Sequence, residues 1–475
     1  MIKRPERIAL RCARSASFYH LSRPFHISFP MDVFGTAMAF FMLGAGAILT
    51  VRTGFFQFTH LGKALRSPFR RSDKKGGVSP FGALATALGS SVGTANIAGV
   101  AGALAIGGPG AVFWMWAAGL LGMATKLAEV ALAMRYRRRE GTGYAGGPMY
   151  YMERALPRFG RGFALVFSAA GCGAAMIGTA LVQGNTSAEA ACSLARSAGA
   201  AFACKPLFGA VTALAAGAVI FGGARRTAAF SEAAVPFMAG AYVIAACCVA
   251  AAHRDMLLPA FKSIITGAFS PRAAAGGGIG ALNALRVGVA RGVYSNEAGV
   301  GSAPIAHAGS SETDPVKQGM MGVFEVFADT IVMCTLTALA ILASGAGSSG
   351  AAGLAAAEEA FASVMGPRGG AAFTAVSSLL FAFTSLTGWE LYGEKCLSYL
   401  TGGRFTALFR LAFLALIPIG AAAEPRIAWL LGELFNYLMA LPNTIALLLL
   451  SGTAAGLVRQ YKLFEKSPRK GYNKG

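Results

Sequence analysis

Eleven largely apolar stretches follow one another along this chain, and that pattern limits its fold more than any other feature. A helix needs about 20 mostly apolar residues to cross a hydrocarbon core about 30 Å thick. The stretches run over 32–51, 80–104, 110–134, 163–192, 206–222, 229–252, 279–307, 319–343, 371–399, 405–422 and 427–450, the fifth and tenth being short. Only 13% of the residues are charged, against about 25% in an ordinary soluble domain. A soluble fold is thereby excluded. The loops are too short for a further domain, so the function must lie within the membrane. Glycine supplies 62 of the 475 residues, an excess that suits closely packed membrane helices.

The charged minority is lopsided, with 42 Lys plus Arg against 21 Asp plus Glu and a net charge of +21. Such a balance fits a nucleic-acid surface or a cytoplasmic membrane face, and position along the chain decides between them. Arg52, Lys63, Arg66, Arg70, Arg71, Lys74 and Lys75 lie between the first two stretches. Arg135, Arg137, Arg138, Arg139, Arg154, Arg158 and Arg161 follow the third, whereas only Arg196 and Lys205 separate the fourth from the fifth. This alternation is the positive-inside pattern and removes nucleic acid as a partner. The basic tail places the C-terminus in the cytoplasm and, with eleven crossings, the N-terminus outside. Residues 1–30 conflict with that placement, carrying Lys3, Arg4, Arg7, Arg11, Arg14 and Arg23. Translation starting at Met31 would remove the conflict; a cleaved signal peptide with an apolar core at 33–49 is the competing reading.

Enzyme chemistry has little to stand on. The eight cysteines show no CxxC or metal-ligand spacing, and HExxH and P-loop patterns are absent. Cys192 and Cys204 flank one outer loop, where a bridge between them is conceivable.

Two stretches contain polar, glycine-rich interruptions. The second reads GSSVGTANIAGVAGA over Gly89–Ala103, and the seventh reads RGVYSNEAGVGSAPIAHA over Arg291–Ala308. Unwound backbone survives at membrane depth only where it lines a protein-enclosed cavity or coordinates something. Freed carbonyls suit a cation and half-helix N-termini suit a carboxylate, together a site for a zwitterion with a small cation. Close packing alone would explain the glycines, but not Ser90, Ser91, Thr94, Asn96, Ser295, Asn296 and Glu297 at the same places. The interruptions are five stretches apart, each opening a set of five, which points to an inverted-repeat transporter. The expected organisation is a basic extension (1–30), an extra helix with a basic loop (31–78), two five-helix repeats (79–255 and 256–452) and a basic tail (453–475).

The ninth stretch adds FTSLTGWELYGEKC over Phe383–Cys396. Thr384 and Ser385 offer hard oxygen ligands for sodium, and Trp389 offers a wall for a small cavity. Their plainer readings are hydroxyls bonded to their own helix and an interfacial anchor. Glu129, Glu297, Glu325, Asp329 and Glu390 are acids in or at the ends of spans, functional candidates by default. Glu129, three residues after Lys126, has a helix-surface pair as its plain reading. Glu297, in the break, is expected to tie the unwound strand through hydrogen bonds.

At these residues the sequence resembles the alanine or glycine:cation symporter family, from about Met31 to the tail. The resemblance rests on VRTGFFQFTHLGKAL from Val51, SPFGALATALGSSVGTANIAGVA from Ser79, GGPGAVFWMW from Gly107, GGPMYYMER from Gly146, and the two motifs that begin at Arg291 and Phe383. It implies an all-α integral membrane protein of about eleven transmembrane helices. Its fold would be the five-plus-five inverted repeat of the leucine-transporter type, preceded by one extra helix. It also implies uptake of alanine, glycine and similar small neutral amino acids across a bacterial inner membrane, driven by sodium. By this resemblance the Gly89 and Val92 carbonyls and the Thr384 and Ser385 hydroxyls surround a sodium ion. The amino acid lies against Ser90, Ser91, Gly93, Thr94 and Ala95, facing Tyr294, Ser295, Asn296 and Glu297. Gln183 and Asn185 match the family's paired amides, with Gln183 at the substrate's polar end, and Trp389 caps the pocket. Two departures bear on preference: Thr94-Ala95-Asn96 stands where the family usually reads TGN, and Tyr294 where phenylalanine is common. Proton-coupled amino-acid symport and a non-transporting amino-acid sensor remain as alternatives.

Overall fold

The computed structural model describes residues 25–69, 77–141, 143–197, 204–269, 280–346, 353–424 and 426–466. Most of the expected N-terminal extension and the last residues of the tail lie outside this set. The chain begins with α1 (Phe25–Arg52), short helical turns over 56–69, and a broken element made of α2 (Pro80–Ser91), a π-turn (Ala95–Gly99) and α3 (Val100–Gly107). Next come α4 (Gly110–Tyr136), the antiparallel hairpin β1 (Arg138–Glu140) and β2 (Gly143–Ala145), and α5 (Pro148–Ala155). Helices α6 (Gly160–Gly173) and α7 (Val182–Ser197) are joined by a π-segment, then α8 (Lys205–Ile220), α9 (Gly223–Ala252) and α10 (Arg254–Phe269) follow. A second broken element comprises α11 (Gly280–Asn296) and α12 (Ala303–Ala308). The remainder is α13 (Pro315–Val326), a π-segment, α14 (Thr335–Ser344), α15 (Leu354–Thr401), α16 (Thr406–Ala422), α17 (Arg426–Leu449) and α18 (Ser451–Lys466).

Among the described residues, six helices are long and apolar enough to cross a membrane: 33–52, α4, 160–196, α9, 315–344 and α15. Two bent pairs bring the number to eight, α2 with 95–107 at 52° and α17 with α18 at 60°. The expected fifth and tenth crossings are the shorter apolar helices α8 and α16. Part of the basic tail, expected as a plain extension, is the helix α18, which turns back so that Tyr461 meets Phe56 edge-on at 5.9 Å.

Local sequence sets the ends of the elements that matter. Ser79 caps α2, its hydroxyl accepting from Gly82 N at 2.7 Å, and Pro80 occupies the first helical position. Asp314 caps α13 by accepting from Val316 N and Lys317 N, again ahead of a proline. Helices then meet at backbone distance. A Cβ on Gly178 would lie 3.0 Å from Gly432 Cα, and one on Gly420 would lie 2.3 Å from the Leu181 carbonyl. Association of this kind depends on small residues that let backbones approach. A large apolar cluster joins α1, α4, α6, α15, α16 and α17, and a second gathers where α2, α9, α14 and α15 meet around Tyr242, Phe361 and Phe381. The broken elements belong to these clusters themselves: Leu84, Leu88, Val92 and Ile97 of the first to the second cluster, and Val300, Ala303 and Ile305 of the second to the first. Cys192 and Cys204 are free thiols.

Candidate functional site

Helix α2 stops because Val92 turns to extended backbone (φ −68°, ψ 104°) after closing its last bond to Leu88. The turn is held from below by Asn96, whose Oδ1 accepts from Gly93 N at 2.9 Å. In the second element Glu297 (φ 52°), Gly299 (φ 95°) and Gly301 (φ 89°) are left-handed, and α12 resumes only at Ala303. Glycine enters that region freely; a glutamate does so at a cost that the surroundings must offset. Ser302 donates from its hydroxyl to Glu297 Oε2 across the break.

One buried carboxylate joins the two breaks. Asp329 accepts from Asn96 Nδ2 at 2.7 Å, from Ser295 Oγ at 2.7 Å and from Thr330 Oγ1 at 2.8 Å. Asn296 donates to Thr330 at 3.2 Å and caps Ala298 N at 3.0 Å. A second network surrounds Gly299. Glu129 Oε1 accepts from Gly299 N at 3.0 Å and from Asn443 Nδ2 at 2.6 Å, and Tyr151 donates to Asn443. Lys126 is wholly buried and pairs with Glu325 at 3.2 Å, whose other oxygen meets His307 at 3.1 Å. The plain surface pairing of Lys126 with Glu129 is therefore corrected: both side chains are buried, because every residue of α4 from Gly122 to Met134 is buried and this face meets the unwound strand and α13.

Both breaks open into one cavity of about 100 Å³. Of the residues singled out from sequence, Ser90, Ser91, Gly93, Thr94, Ala95, Gln183, Tyr294, Glu297, Ser385 and Trp389 line it. Ser295 and Asn296 do not; their side chains are spent on Asp329 and Thr330. Asn185 does not either, since it donates to the Gly420 and Ala423 carbonyls of α16 at 3.3 and 3.1 Å. Two residues after Gln183 on a helix, it points to a different face. Glu390 also faces away, 4.0 Å from Arg410.

At one edge of the cavity α15 meets the end of α2. Ser385 Oγ lies 3.5 Å from the Gly89 carbonyl and 3.3 Å from that of Ser90, while Thr384 Oγ1 bonds back to Leu380 and Phe381 of its own helix. A Cβ on Gly89 would meet Thr384 Cβ at 3.2 Å, so glycine permits this approach. Oxygens are thus gathered around Gly89, Ser90 and Ser385, with Thr384 next to them. Among the described residues no group of three His, Cys, Asp or Glu side chains is placed to hold a metal.

A second cavity, of about 230 Å³, is lined by Val78 and Thr86 near α2, Tyr144 of the hairpin, Ile305 and Ala306 of α12, and Leu391 and Lys395 of α15. Lys395 reaches Glu140 of β1 at 2.9 Å across it. Arg137 donates to the Ala308, Ser310 and Glu312 carbonyls and stacks on Tyr144, fastening the hairpin to the end of α12.

Sequence reasoning missed several parts of this arrangement. Asn436 and Asn443 were polar residues in an apolar stretch, a signal passed over. Residues 89–93 also spell G-x-S-x-G, the elbow of serine hydrolases. Here Ser91 ends a helix, its hydroxyl 3.2 Å from the Ala87 carbonyl, and no histidine lines the cavity.

The profile of the sodium:alanine symporter family matches residues 27–474. The chain belongs to that family. An uncharacterized transporter of Haemophilus influenzae is 42% identical over 88% of this chain and 91% of its own length. The sodium/alanine symporter AgcS of Methanococcus maripaludis is 39% identical, over 92% and 97%. The amino-acid carrier protein AlsT of Bacillus subtilis is 35% identical, over 92% and 91%. Like the rest of the family, the chain is a multi-pass membrane transporter and not an enzyme.

Proposed function

We propose that the protein is a secondary active symporter that carries small neutral amino acids, alanine and glycine foremost, into the cell together with sodium. The observation that carries this reading is the shared cavity. Gly93, Thr94 and Ala95 of the first break line it together with Tyr294 and Glu297 of the second, and Ser385 sits at its edge against the Gly89 and Ser90 carbonyls. Such a pocket offers amides to a carboxylate, oxygens to a small cation, and a size limit set by Trp389. At about 100 Å³ it is smaller than the cavity of about 150 Å³ that takes benzene. Gly89, Val92, Thr384 and Ser385 form the sodium site, and Ser90, Ser91, Gly93, Thr94, Ala95, Gln183, Tyr294 and Trp389 hold the amino acid, with Ser295, Asn296 and Glu297 shaping the second break.

The fold belonging to this function has eleven crossings, five-plus-five inverted repeats at 79–255 and 256–452, an outer N-terminus and a cytoplasmic C-terminus in a bacterial inner membrane. One repeat bundle rocks against the other around the site. Sodium raises affinity for the amino acid, and by linkage the amino acid raises affinity for sodium equally. The cavity beside the Arg138–Ala145 hairpin is the route of release.

Uptake of labelled alanine into proteoliposomes, with and without an inward sodium gradient, tests this reading. Accumulation that follows the sodium gradient supports it. The buried titratable set Lys126, Glu129, Glu325 and His307 favours proton coupling as the second reading, and accumulation that follows a pH gradient instead would select it. Binding of alanine without uptake would select a sensor.

A further inference from the structure

Away from the cavity, the chain builds a platform at the ends of its spans. Two segments form it: the short turns over 56–69, directly after α1, and α18, which leaves α17 at a bend of 60°. Such a bend carries α18 more along the membrane surface than through it. The two segments are fixed to each other and to the transport core. Phe56, Val458 and Tyr461 share one apolar cluster with Leu127 of α4, Val323 of α13 and Ala298 of the second break. Glu465 fastens the far end of α18 to Lys63 and His60.

The outward surface of this platform is both basic and apolar. Over 52–69 and 451–465, Arg52, Lys63, Arg66, Arg459 and Lys462 stand against a single acid, Glu465. Phe55, Phe58 and Leu463 are exposed among them. The two properties meet at one edge. Arg459, Lys462 and Leu463 are spaced i, i+3 and i+4 and share a face of α18. The Lys462 ammonium lies 3.5 Å from the Gly54 carbonyl and 5.4 Å from the centre of the Phe56 ring, which sets it beside Phe55 and the end of α1 at Arg52. Among the described residues, none of Arg52, Arg459 and Lys462 forms an ion pair. Unpaired bases next to exposed apolar side chains, at the end of a span, fit a lipid whose headgroup is anionic and whose chains lie against the apolar groups. A second copy of this chain would bring the same positive charge to the contact and be repelled.

We propose that this edge, formed by Arg52, Phe55, Arg459, Lys462 and Leu463, binds the headgroup of an anionic phospholipid in the cytoplasmic leaflet and that the bound lipid supports transport. The lipid bridges α18 and the end of α1, so it holds the platform in its docked position. Ala298 belongs to the cluster beneath the platform, and a platform held in place therefore also steadies the second break. The headgroup site stands apart from the amino-acid transport reading; only its effect on uptake rests on that reading.

The test is amide exchange over 451–466, measured for the full chain in nanodiscs of phosphatidylcholine alone and of phosphatidylcholine with phosphatidylglycerol, for the unsubstituted protein and for Arg459→Gln with Lys462→Gln. One base near an anionic surface is worth about a fivefold change in an equilibrium. Phosphatidylglycerol is therefore expected to slow exchange of α18 about fivefold or more in the unsubstituted protein and to lose most of that effect in the double variant. Alanine uptake in vesicles of the same lipids, at equal protein per vesicle, should rise with phosphatidylglycerol in the first and not in the second. Should the variant fail to insert, salt at about 1 M takes its place in the exchange measurement, because screening over about 3 Å should remove the lipid effect. Exchange that is equal in the two lipids, or a lipid effect that survives both the substitutions and salt, overturns the proposal. So does protection that follows the protein-to-lipid ratio instead of headgroup charge, which would assign the face to a second copy. Slowed exchange with uptake indifferent to phosphatidylglycerol overturns the coupling through Ala298. Slowed exchange with no alanine uptake in either lipid supports the headgroup site and overturns the transport reading instead.

Discussion

Lys126 Nζ lies 3.2 Å from Glu325 Oε1, with the two side chains 0% and 1% exposed. This pair links α4 to α13 beside the strand that interrupts the second broken helix. Removing one member of a buried ion pair costs about 3–5 kcal/mol, while replacing both by neutral groups of similar size is often tolerated. Lys126→Met is therefore expected to lower thermal stability in detergent strongly, and Lys126→Met with Glu325→Gln to recover much of the loss. A single variant that melts with the unsubstituted protein would show that Glu325 does not need the lysine, His307 sufficing.

The two hydroxyls of the proposed sodium site differ in geometry, and their substitution should differ too. Ser385 faces the Gly89 and Ser90 carbonyls, whereas Thr384 turns back to its own helix. Ser385→Ala is expected to raise the sodium concentration for half-maximal uptake about tenfold, the worth of one good hydrogen-bond-strength contact of about 1.4 kcal/mol. Thr384→Ala should raise it less. No effect of either substitution in a sodium titration of uptake would place the ion elsewhere, and equal effects would show that Thr384 turns to the ion as Ser385 does.

Gly388 lets α15 lie directly on the end of α2. A Cβ there would fall 1.9 Å from Ser90 Oγ and 3.1 Å from Ser90 Cβ. Overpacking of this kind costs about 1–3 kcal/mol, and here it would also displace the first break. Gly388→Ala is expected to reduce alanine uptake more than tenfold, and adding Ser90→Gly to restore part of it. Full activity of the single variant, measured at equal protein per vesicle, would mean that α15 and α2 can part without consequence.

Docking of α18 carries a pH dependence. Glu465 of α18 meets Lys63 and His60 of the preceding basic turn. The hydrogen bond from Lys63 holds the Glu465 carboxyl below its usual range, and burial, opposed by Glu465, holds the His60 imidazole below its own. The Glu465 shift means that the undocked state binds the proton first. Docking is thus complete at neutral pH and weakens as pH falls below about 4.3 through Glu465. Amide exchange over 451–466, corrected for intrinsic rates, should quicken over that range. Protection that is constant through it would contradict this.

Much of the site was legible because it depends on local chemistry. A polar, glycine-rich run inside an apolar helix can only be a break, and both breaks lie where the runs lie. What a side chain does once the break forms was not legible. Ser295, Asn296 and Glu297 are neighbours in sequence, yet one holds Asp329, one holds Thr330 and caps Ala298, and one reaches the cavity. Ser295 and Asn296 end α11 on two of its faces, and left-handed backbone at Glu297 sends the chain from there in a direction that no helical period describes. Asn185 was misplaced for the opposite reason: α7 is regular, so two residues beyond Gln183 is another face.

By itself the sequence determined that this chain lies in a membrane and that two of its helices are interrupted, because burial of backbone polar groups and the cost of charge in lipid act residue by residue along the chain; its place among the sodium:alanine symporters rests on likeness of motifs to known proteins. Only the tertiary structure decided which polar groups are consumed in holding the breaks open and which keep an unpaired atom. Asn96 and Asn436 are the same side chain, and both lie in membrane-spanning stretches. One is bound to Asp329, more than two hundred residues away, and the other has no partner for its carbonyl. Contacts between residues so distant in sequence are set by how the helices pack, and packing of this kind follows from shape shared among many helices rather than from any local pattern.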